Sequence, residues 1–521
     1  MAITNRIENF HMEVNQAFLD KAEALSPALI ETKVRPAGVV EIIPRGQDCA
    51  AREIRRGFDQ SRPLGRGDRI CLDFGDHQVG YVSFTLTPVG SPPDAPACLR
   101  LRFGEIPYEL TVGLSDYQGE ISASWIQEEL IHADVLPARI RLPRRYAFRY
   151  LELAVIDTSP KYRVAVGDVV CTAVTSADRA AVPALNIADP ELLALDRVSL
   201  KTMEDCMQSV FEDGPKRDRR LWLGDLRLQA QTNYVTFQNN DLVKRCLYLF
   251  AALTQNEGRV GACLFMEPRP QVDDTALFDY ALFFVSCLHD YYEATGDRET
   301  LAELFPTACR QVELALRELD SRGIVADQDT WWCFLDWGEG LNKQAGAQAV
   351  LIYTLKQAGA MAEWLGEADR AAALRAAAGR ASQAALDCLW DGEQGFFVSG
   401  AERQLSWASQ VWFALAKVLS PKENVRLLER VMARNPGVPL VTPYAYHHLI
   451  EALMENGLKE QAVAAMKGYW GGMLREGADT FWELFNPDDR CASPYGSRAV
   501  NSFCHAWSST PSYFIRKYLA P

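Results

Sequence analysis

Near residue 180 the apolar residues of this chain stop recurring at every second position and begin to recur at every third or fourth. One layer of secondary structure cannot satisfy both periods, so the chain must build an extended sheet first and helices afterwards. The first part shows alternating runs at GVVEIIP (38–44), RICLDFG (69–75), GYVSFTLTP (80–88), CLRLRFG (98–104), SASWIQEEL (122–130), RYAFRYLELAVID (145–157) and YRVAVGDVVCTAVTS (162–176). Gly, Pro and Asp clusters separate them, and SPPDAPAC (91–98) is a turn because prolines cannot donate to a ladder. This spacing predicts an antiparallel, jelly-roll-like β-sandwich over residues 1–180, with residues before about 36 helical or irregular.

From 181 to 521 the pattern predicts twelve helices, near 190–209, 225–237, 240–254, 276–295, 298–319, 344–363, 366–389, 404–418, 421–434, 442–456, 458–474 and 501–517. Asp189-Pro190 and Thr295-Gly296-Asp297 are helix punctuation. Twelve helices as six hairpins around one axis make an (α/α)6 toroid. A solenoid is the competing arrangement, but no fixed-period repeat supports it. The longer connections, 210–225, 256–275, 322–343 and 475–500, are expected to gather at one end of the toroid, where long loops carry function.

Composition limits the chemistry. The chain has 521 residues and a net charge of −14, which repels phosphate backbones and argues against nucleic acid as a partner. Thirteen cysteines, mostly inside apolar runs and never as C-x-x-C, fit reduced, buried thiols better than a disulfide or zinc framework. The opening MAITNRIENFHMEVNQ has no apolar core of a secretory signal, and no apolar run reaches bilayer length. A cytoplasmic protein without membrane contact is expected. Homodimerisation is expected only on general frequencies. No metal-ligand motif, nucleophile elbow or phosphate loop is present, so neither metal nor cofactor is implied.

Three connections hold the informative residues. VFEDGPKRDRRLWLGDL (210–226) packs Asp213, Asp218 and Asp225 among Lys216, Arg217, Arg219, Arg220 and Trp222, and its Gly-Pro and Gly turns prevent one continuous helix. A mixed-charge run is ordinarily a solvated loop, but a tryptophan between turns beside a helical core argues for an inward-facing one. DQDTWWCFLDWGEGLNKQ (327–344) sets Asp336 and Glu339 beside Trp331, Trp332 and Trp337. Such rings suit the apolar faces of sugars, or else cap a core. In REGADTFWELFNPDD (475–489), Glu483 follows Phe481-Trp482, a setting that raises a carboxyl pKa unless charged neighbours compensate. His505, in CHAWSS, can orient a carboxylate, bond a sugar hydroxyl or simply sit in the core. Two carboxylates on separate loops among tryptophans are what glycoside hydrolysis requires: one acid for the leaving oxygen and one base for water.

At these residues the sequence resembles the bacterial α-L-rhamnosidases of glycoside hydrolase family 78, over most of the chain. Residues 213–225, DGPKRDRRLWLGD, are similar to the family's D-G-x-K-R-[DE]-R-x-x-W-x-G-D signature. FLDWGEGLNKQ (334–344), DTFWELF (479–485) and CHAWSS (504–509) support the match. The resemblance implies an inverting hydrolase that releases terminal L-rhamnose, with small rhamnosides as substrates if the enzyme is cytoplasmic. It implies Asp218 as general acid and Glu483 as general base. Asp213, Arg217, Trp222, Asp225 and Trp337 match sugar-contacting positions, and Asp336 and His505 are further pocket-wall candidates. Many relatives carry Glu at the acid position, where Asp218 is one methylene shorter. Another (α/α)6 glycosidase, a lyase on the same scaffold, or a sugar-binding protein that has lost catalysis are the alternatives.

Overall fold

The computed structural model describes residues 10–46, 48–329 and 332–520. The start of the segment read for a secretory signal (1–9) and Trp331 lie outside them.

In the strand Ala97–Gly104, Ala97, Leu99, Leu101 and Phe103 are buried while their neighbours are half-exposed, the signature of a sheet covered on one face. All its pairings are antiparallel, in the order Ile30–Val34, Tyr162–Thr175, Arg69–Gly90, Tyr146–Asp157, Ala97–Gly104, Glu128–Ala133. The runs predicted at 69–75 and 80–88 are one strand, with a register shift against Tyr146–Asp157 between Asp73 and Gln78. Strands Ile30–Val34, where residues before about 36 read as helical or irregular, Asp48–Arg56 and Ala138–Arg141 were not expected, because their charged residues hide the alternation. Leu72, Phe84, Leu101, Phe148 and Leu153 centre the apolar core of this sheet-rich region.

The first described residues pack on the helical part of the chain. Glu13–Val14 pairs with Leu253–Thr254, and helix Gln16–Ala24 lies on helix Asn240–Ala252, with Phe18 against Tyr248 (5.6 Å between rings). Ala22 is part of the helical core. Phe18 and Ala22 bury apolar surface against the helical core there.

Eleven of the twelve predicted helices are present, with shifted ends, from Pro190–Cys206 to Lys459–Arg475. Asp189 caps the first through the amides of Glu191 and Leu192, and Asp297 caps Arg298–Leu316 through Thr300. The last prediction, 501–517, is wrong over its first half. Residues 501–510 are irregular, with a 3-10 turn at Ala506–Ser508, and the helix begins only at Pro511. Proline opens a helix readily because its missing N–H is spare in the first turn, and Ser502 and Ser508 bond backbone carbonyls of Cys504 and Trp482 instead of supporting a helix.

Helix Leu223–Val235 packs on Phe278–Thr295, which packs on Gln344–Leu365, then Trp407–Leu415, then Pro443–Glu455, which returns to Leu223–Val235. The long connections 207–222, 256–277 and 317–343 each lead into a helix of this closed series. No helix among the described residues is long and apolar enough to cross a membrane.

Two buried carboxylates hold the 332–343 loop against the helices. Asp279, at the start of its helix, accepts from the amides of Phe334 (3.0 Å) and Leu335 (2.9 Å). Asp336 accepts from the amides of Trp337 (2.8 Å), Val441 (2.8 Å) and Thr442 (3.1 Å) and from the Thr442 hydroxyl (2.8 Å). Replacing Asp336 by Asn puts an amide donor against these donors. Unfolding free energy is expected to fall by about 2 kcal/mol in a urea melt, and an unchanged midpoint would contradict the stapling role.

Candidate active site

The loop 207–222 is pinched shut by its own backbone: Asp213 N–H donates to Arg220 O (3.0 Å) and Glu212 N–H to Cys206 O (2.9 Å). Gly214 permits this, since a Cβ there would stand 2.5 Å from Arg217 O and 2.6 Å from Ser502 Oγ. Inside the pinch the carboxylate of Asp213 accepts from the amides of Asp218 and Arg220, each at 3.0 Å. The loop leaves through the short strand Leu221–Trp222, paired with Cys263–Leu264, and enters helix Leu223–Val235 with Asp225 in its first turn. Gly224 is required by a neighbour, because a Cβ would lie 2.3 Å from the Tyr280 ring.

These elements enclose a hollow of about 220 Å³. Eight of the nine expected site residues line it: Asp213, Arg217, Asp218, Trp222, Asp225, Trp337, Glu483 and His505. Asp336 does not. Both its oxygens serve the amides at 337, 441 and 442, so it holds the wall without forming it.

The centre of the hollow is one guanidinium. Arg217 is buried; its Nε donates to Val500 O (2.8 Å), its Nη2 pairs with Glu483 Oε2, and its Nη1 lies 3.5 Å from Asp218 Oδ1. The Tyr495 ring covers it at 4.1 Å. Glu483 also accepts from Tyr495 Oη (2.7 Å) and the Ser502 amide (3.2 Å). Burial alone would raise the Glu483 pKa, but Arg217, then His505 and the Tyr495 hydrogen bond outweigh it and hold the carboxyl below its ordinary range. Charged neighbours do compensate for the aromatic setting.

The other acids differ. Asp213 is pushed up to about 7, first by burial and then by the charge of Asp218. Asp225 is raised by burial, although His505 Nε2 lies 3.1 Å from its Oδ1. Burial disfavours the imidazolium of His505, but the bond to Asp225 and the charges of Glu483 and Asp225 outweigh it and raise its pKa. Arg217 pairs chiefly with Glu483 and also reaches Asp218 Oδ1 at 3.5 Å, and Arg219 Nε donates to Lys216 O (3.3 Å).

The aromatic wall is larger than expected. Phe334 meets Trp337 edge-on (5.8 Å) and stacks near Trp507 (5.7 Å), while Trp337 meets Tyr495 edge-on (5.9 Å). Trp332 caps the core instead, edge-on to Phe278. Tyr280, Tyr495, Trp507, Ile121 and Trp125 also line the hollow and were not singled out from the sequence. Trp507 had a signal, two positions after His505. Trp125 had none, because SASWIQEEL alternates like a strand, whereas residues 123–125 form a 3-10 turn.

With this geometry in place, comparison with known proteins is direct. Residues 49–173 match the glycosyl hydrolase family 78 alpha-rhamnosidase N-terminal domain, and residues 182–519 match the bacterial alpha-L-rhamnosidase 6 hairpin glycosidase domain. A solved rhamnosidase from Klebsiella oxytoca with rhamnose bound is 50% identical, with a TM-score of 0.94 over 97% of this chain and 99% of that one. The family 78 rhamnosidase of Bacillus sp. GL1 shares the fold at 21% identity, with a TM-score of 0.73 over 91% of this chain and 47% of that one. The Streptomyces avermitilis α-L-rhamnosidase complexed with L-rhamnose does so at 17%, with a TM-score of 0.66 over 94% and 44%. Comparison with curated protein sequences finds no match. The chain belongs to the bacterial α-L-rhamnosidases of glycoside hydrolase family 78, and it is a glycoside hydrolase.

Proposed function

We propose that this α-L-rhamnosidase releases terminal L-rhamnose from small α-L-rhamnosides with inversion, Asp218 acting as general acid and Glu483 as general base. The observation that carries this reading is the sharing of Arg217 by these two carboxylates across one aromatic-walled hollow. Asp218 gives its proton to the glycosidic oxygen as the C1–O bond breaks. Glu483 takes a proton from the water that bonds to C1 from the opposite face. Glu483 is held ionised, as a base must be. Accessibility favours Asp218 over Asp213 as the acid. The Asp218 side chain is 19% exposed, whereas Asp213 is only 4% exposed and each of its oxygens already accepts one backbone amide.

The sugar's 6-methyl group suits the Trp337–Phe334–Trp507 wall, and Asp213, Asp225 and His505 offer partners for ring hydroxyls. A carboxylate placed for a 6-hydroxyl would be left unpaired by a 6-deoxy sugar. The scaffold we infer is a β-sandwich followed by an (α/α)6 toroid. The closed succession of packed helices supports the toroid, and the two family matches, ending at 173 and starting at 182, support a boundary near 180. All thirteen cysteines are free of disulfides, which supports a reducing, cytoplasmic setting.

Asp218→Asn and Glu483→Gln are each expected to lower kcat on a nitrophenyl α-L-rhamnoside by about 10²–10⁴-fold, with KM little changed. Near-normal turnover in either variant would remove that residue's role. Proton NMR during turnover should show β-L-rhamnose first, and the α-anomer appearing first would contradict inversion. The ionised form of Glu483 is the active one, so kcat/KM should fall with acid only below the ordinary carboxylate range of about 4.3. Arg217→Gln removes the main cation opposing burial and should move this limb upward. An unmoved limb would mean that Glu483 does not set it.

A further inference from the structure

The loop that carries Arg217 and Asp218 is also held from behind. Successive residues point in opposite directions: Arg217 into the hollow, Lys216 away from it toward the sheet-rich region. Lys216 is 2% exposed. Its Nζ meets Glu109 Oε1 at 2.5 Å and Glu105 Oε2 at 2.9 Å and also donates to Asn501 O. Glu105 and Glu109 follow strand Ala97–Gly104, and Glu109 Oε2 accepts the Glu105 amide (2.7 Å).

The same pair of carboxylates reaches the other half of the site. Glu105 Oε2 accepts from the Phe503 amide at 2.7 Å. One residue earlier, Ser502 clamps Glu483: its amide donates to Oε2 (3.2 Å) and its carbonyl accepts the Glu483 amide (3.0 Å). Thus four consecutive residues are each tied to a different charged side chain: Val500 to Arg217, Asn501 to Lys216, Ser502 to Glu483, and Phe503 to Glu105. Behind Glu105 the array continues through His77 (3.2 Å) to Asp205 (2.7 Å) and Lys201 (2.8 Å).

A buried ion network is a poor source of stability, since apolar packing of similar volume does as well or better. Its distinctive property is geometric, because each charge has one place where it is satisfied. We propose that Glu105 and Lys216 are positioning residues for catalysis: the sheet-rich region sets the separation of Asp218 and Glu483 through this ion pair, one partner on each side of the interface. The charges support it. Burial would raise the Glu105 pKa, but Lys216 and then His77 bring it down to about 2, so the pair is ionic. This inference rests on Asp218 and Glu483 being the reacting pair, and it makes the sheet-rich region part of the catalytic apparatus.

Glu105→Gln in the full chain tests it. The glutamine can still accept from the Phe503 amide but loses its charge opposite Lys216. A displacement of about 1 Å between reacting groups lowers turnover on the order of 100-fold. The expected result is a kcat loss of about that size on a nitrophenyl α-L-rhamnoside, with KM and free-rhamnose affinity within a few-fold of the parent. Turnover per folded molecule equal to the parent, with only a lower Tm, would overturn the proposal. If Glu105→Gln does not fold, the triple variant Glu105→Gln, Glu109→Gln, Lys216→Met decides, since it removes Lys216 together with both of its carboxylate partners. Folded protein with kcat still reduced supports positioning. Restored kcat overturns it, as does failure of the triple variant to fold, because the network would then hold the fold itself. Asp218→Asn measured alongside keeps the two readings apart: near-normal turnover there removes the reacting pair, whatever Glu105→Gln does.

Discussion

A guanidinium buried at the centre of the hollow must be neutralised, and the way Arg217 is neutralised organises everything around it. A cation taken out of water costs several kcal/mol unless charge and hydrogen bonds replace its hydration. Here the replacements come from four separate places: Glu483, Asp218, the Val500 carbonyl and the face of Tyr495. Asp218 lies on the loop of Arg217 itself and the other three on the connection between Arg475 and Pro511, so satisfying one charge brings two distant stretches of chain to one point. The catalytic constellation is a by-product of that requirement. Arginine suits the position because its fork offers several donors in one plane, which a lysine ammonium cannot do.

The acids of the hollow are alike in chemistry and unlike in state, and the difference is local. Glu483 lies against Arg217 and stays ionised; Asp213, equally buried, accepts backbone amides and faces the charge of Asp218, so its carboxyl rises to about 7. Asp225 is also raised by burial, although it faces His505.

Much of this was legible in the chain. The change of hydrophobic period placed the sheet and eleven helices, because burial on one face leaves a direct trace in the order of residues. The 213–225 loop was legible because charge, tryptophan and turn residues coincide in few positions. Other features leave no such trace. Asp336 beside Trp337 looks the same whether it faces a sugar or caps a helix, and the partners that decide, Val441 and Thr442, are about a hundred positions away. The ionisation of Glu483 depends on Arg217, 266 positions distant. Trp125 and Ile121 reach the hollow only because the sheet-rich region docks there, which no local pattern encodes. Residues 501–510 misled in the opposite sense: they are apolar enough to read as helix, yet their backbone is spent on clamping Glu483 and the 213–218 loop.

The most direct measurement is a crystal structure of the Glu483→Gln variant holding an intact aryl α-L-rhamnoside. The account requires the rhamnose ring against Trp337 and Trp507, a carboxyl oxygen of Asp218 within 2.6–3.2 Å of the glycosidic oxygen, and residue 483 on the other face of the ring with a water between. A rhamnoside bound with Asp218 and residue 483 on the same face, or with the glycosidic oxygen out of reach of Asp218, would contradict it.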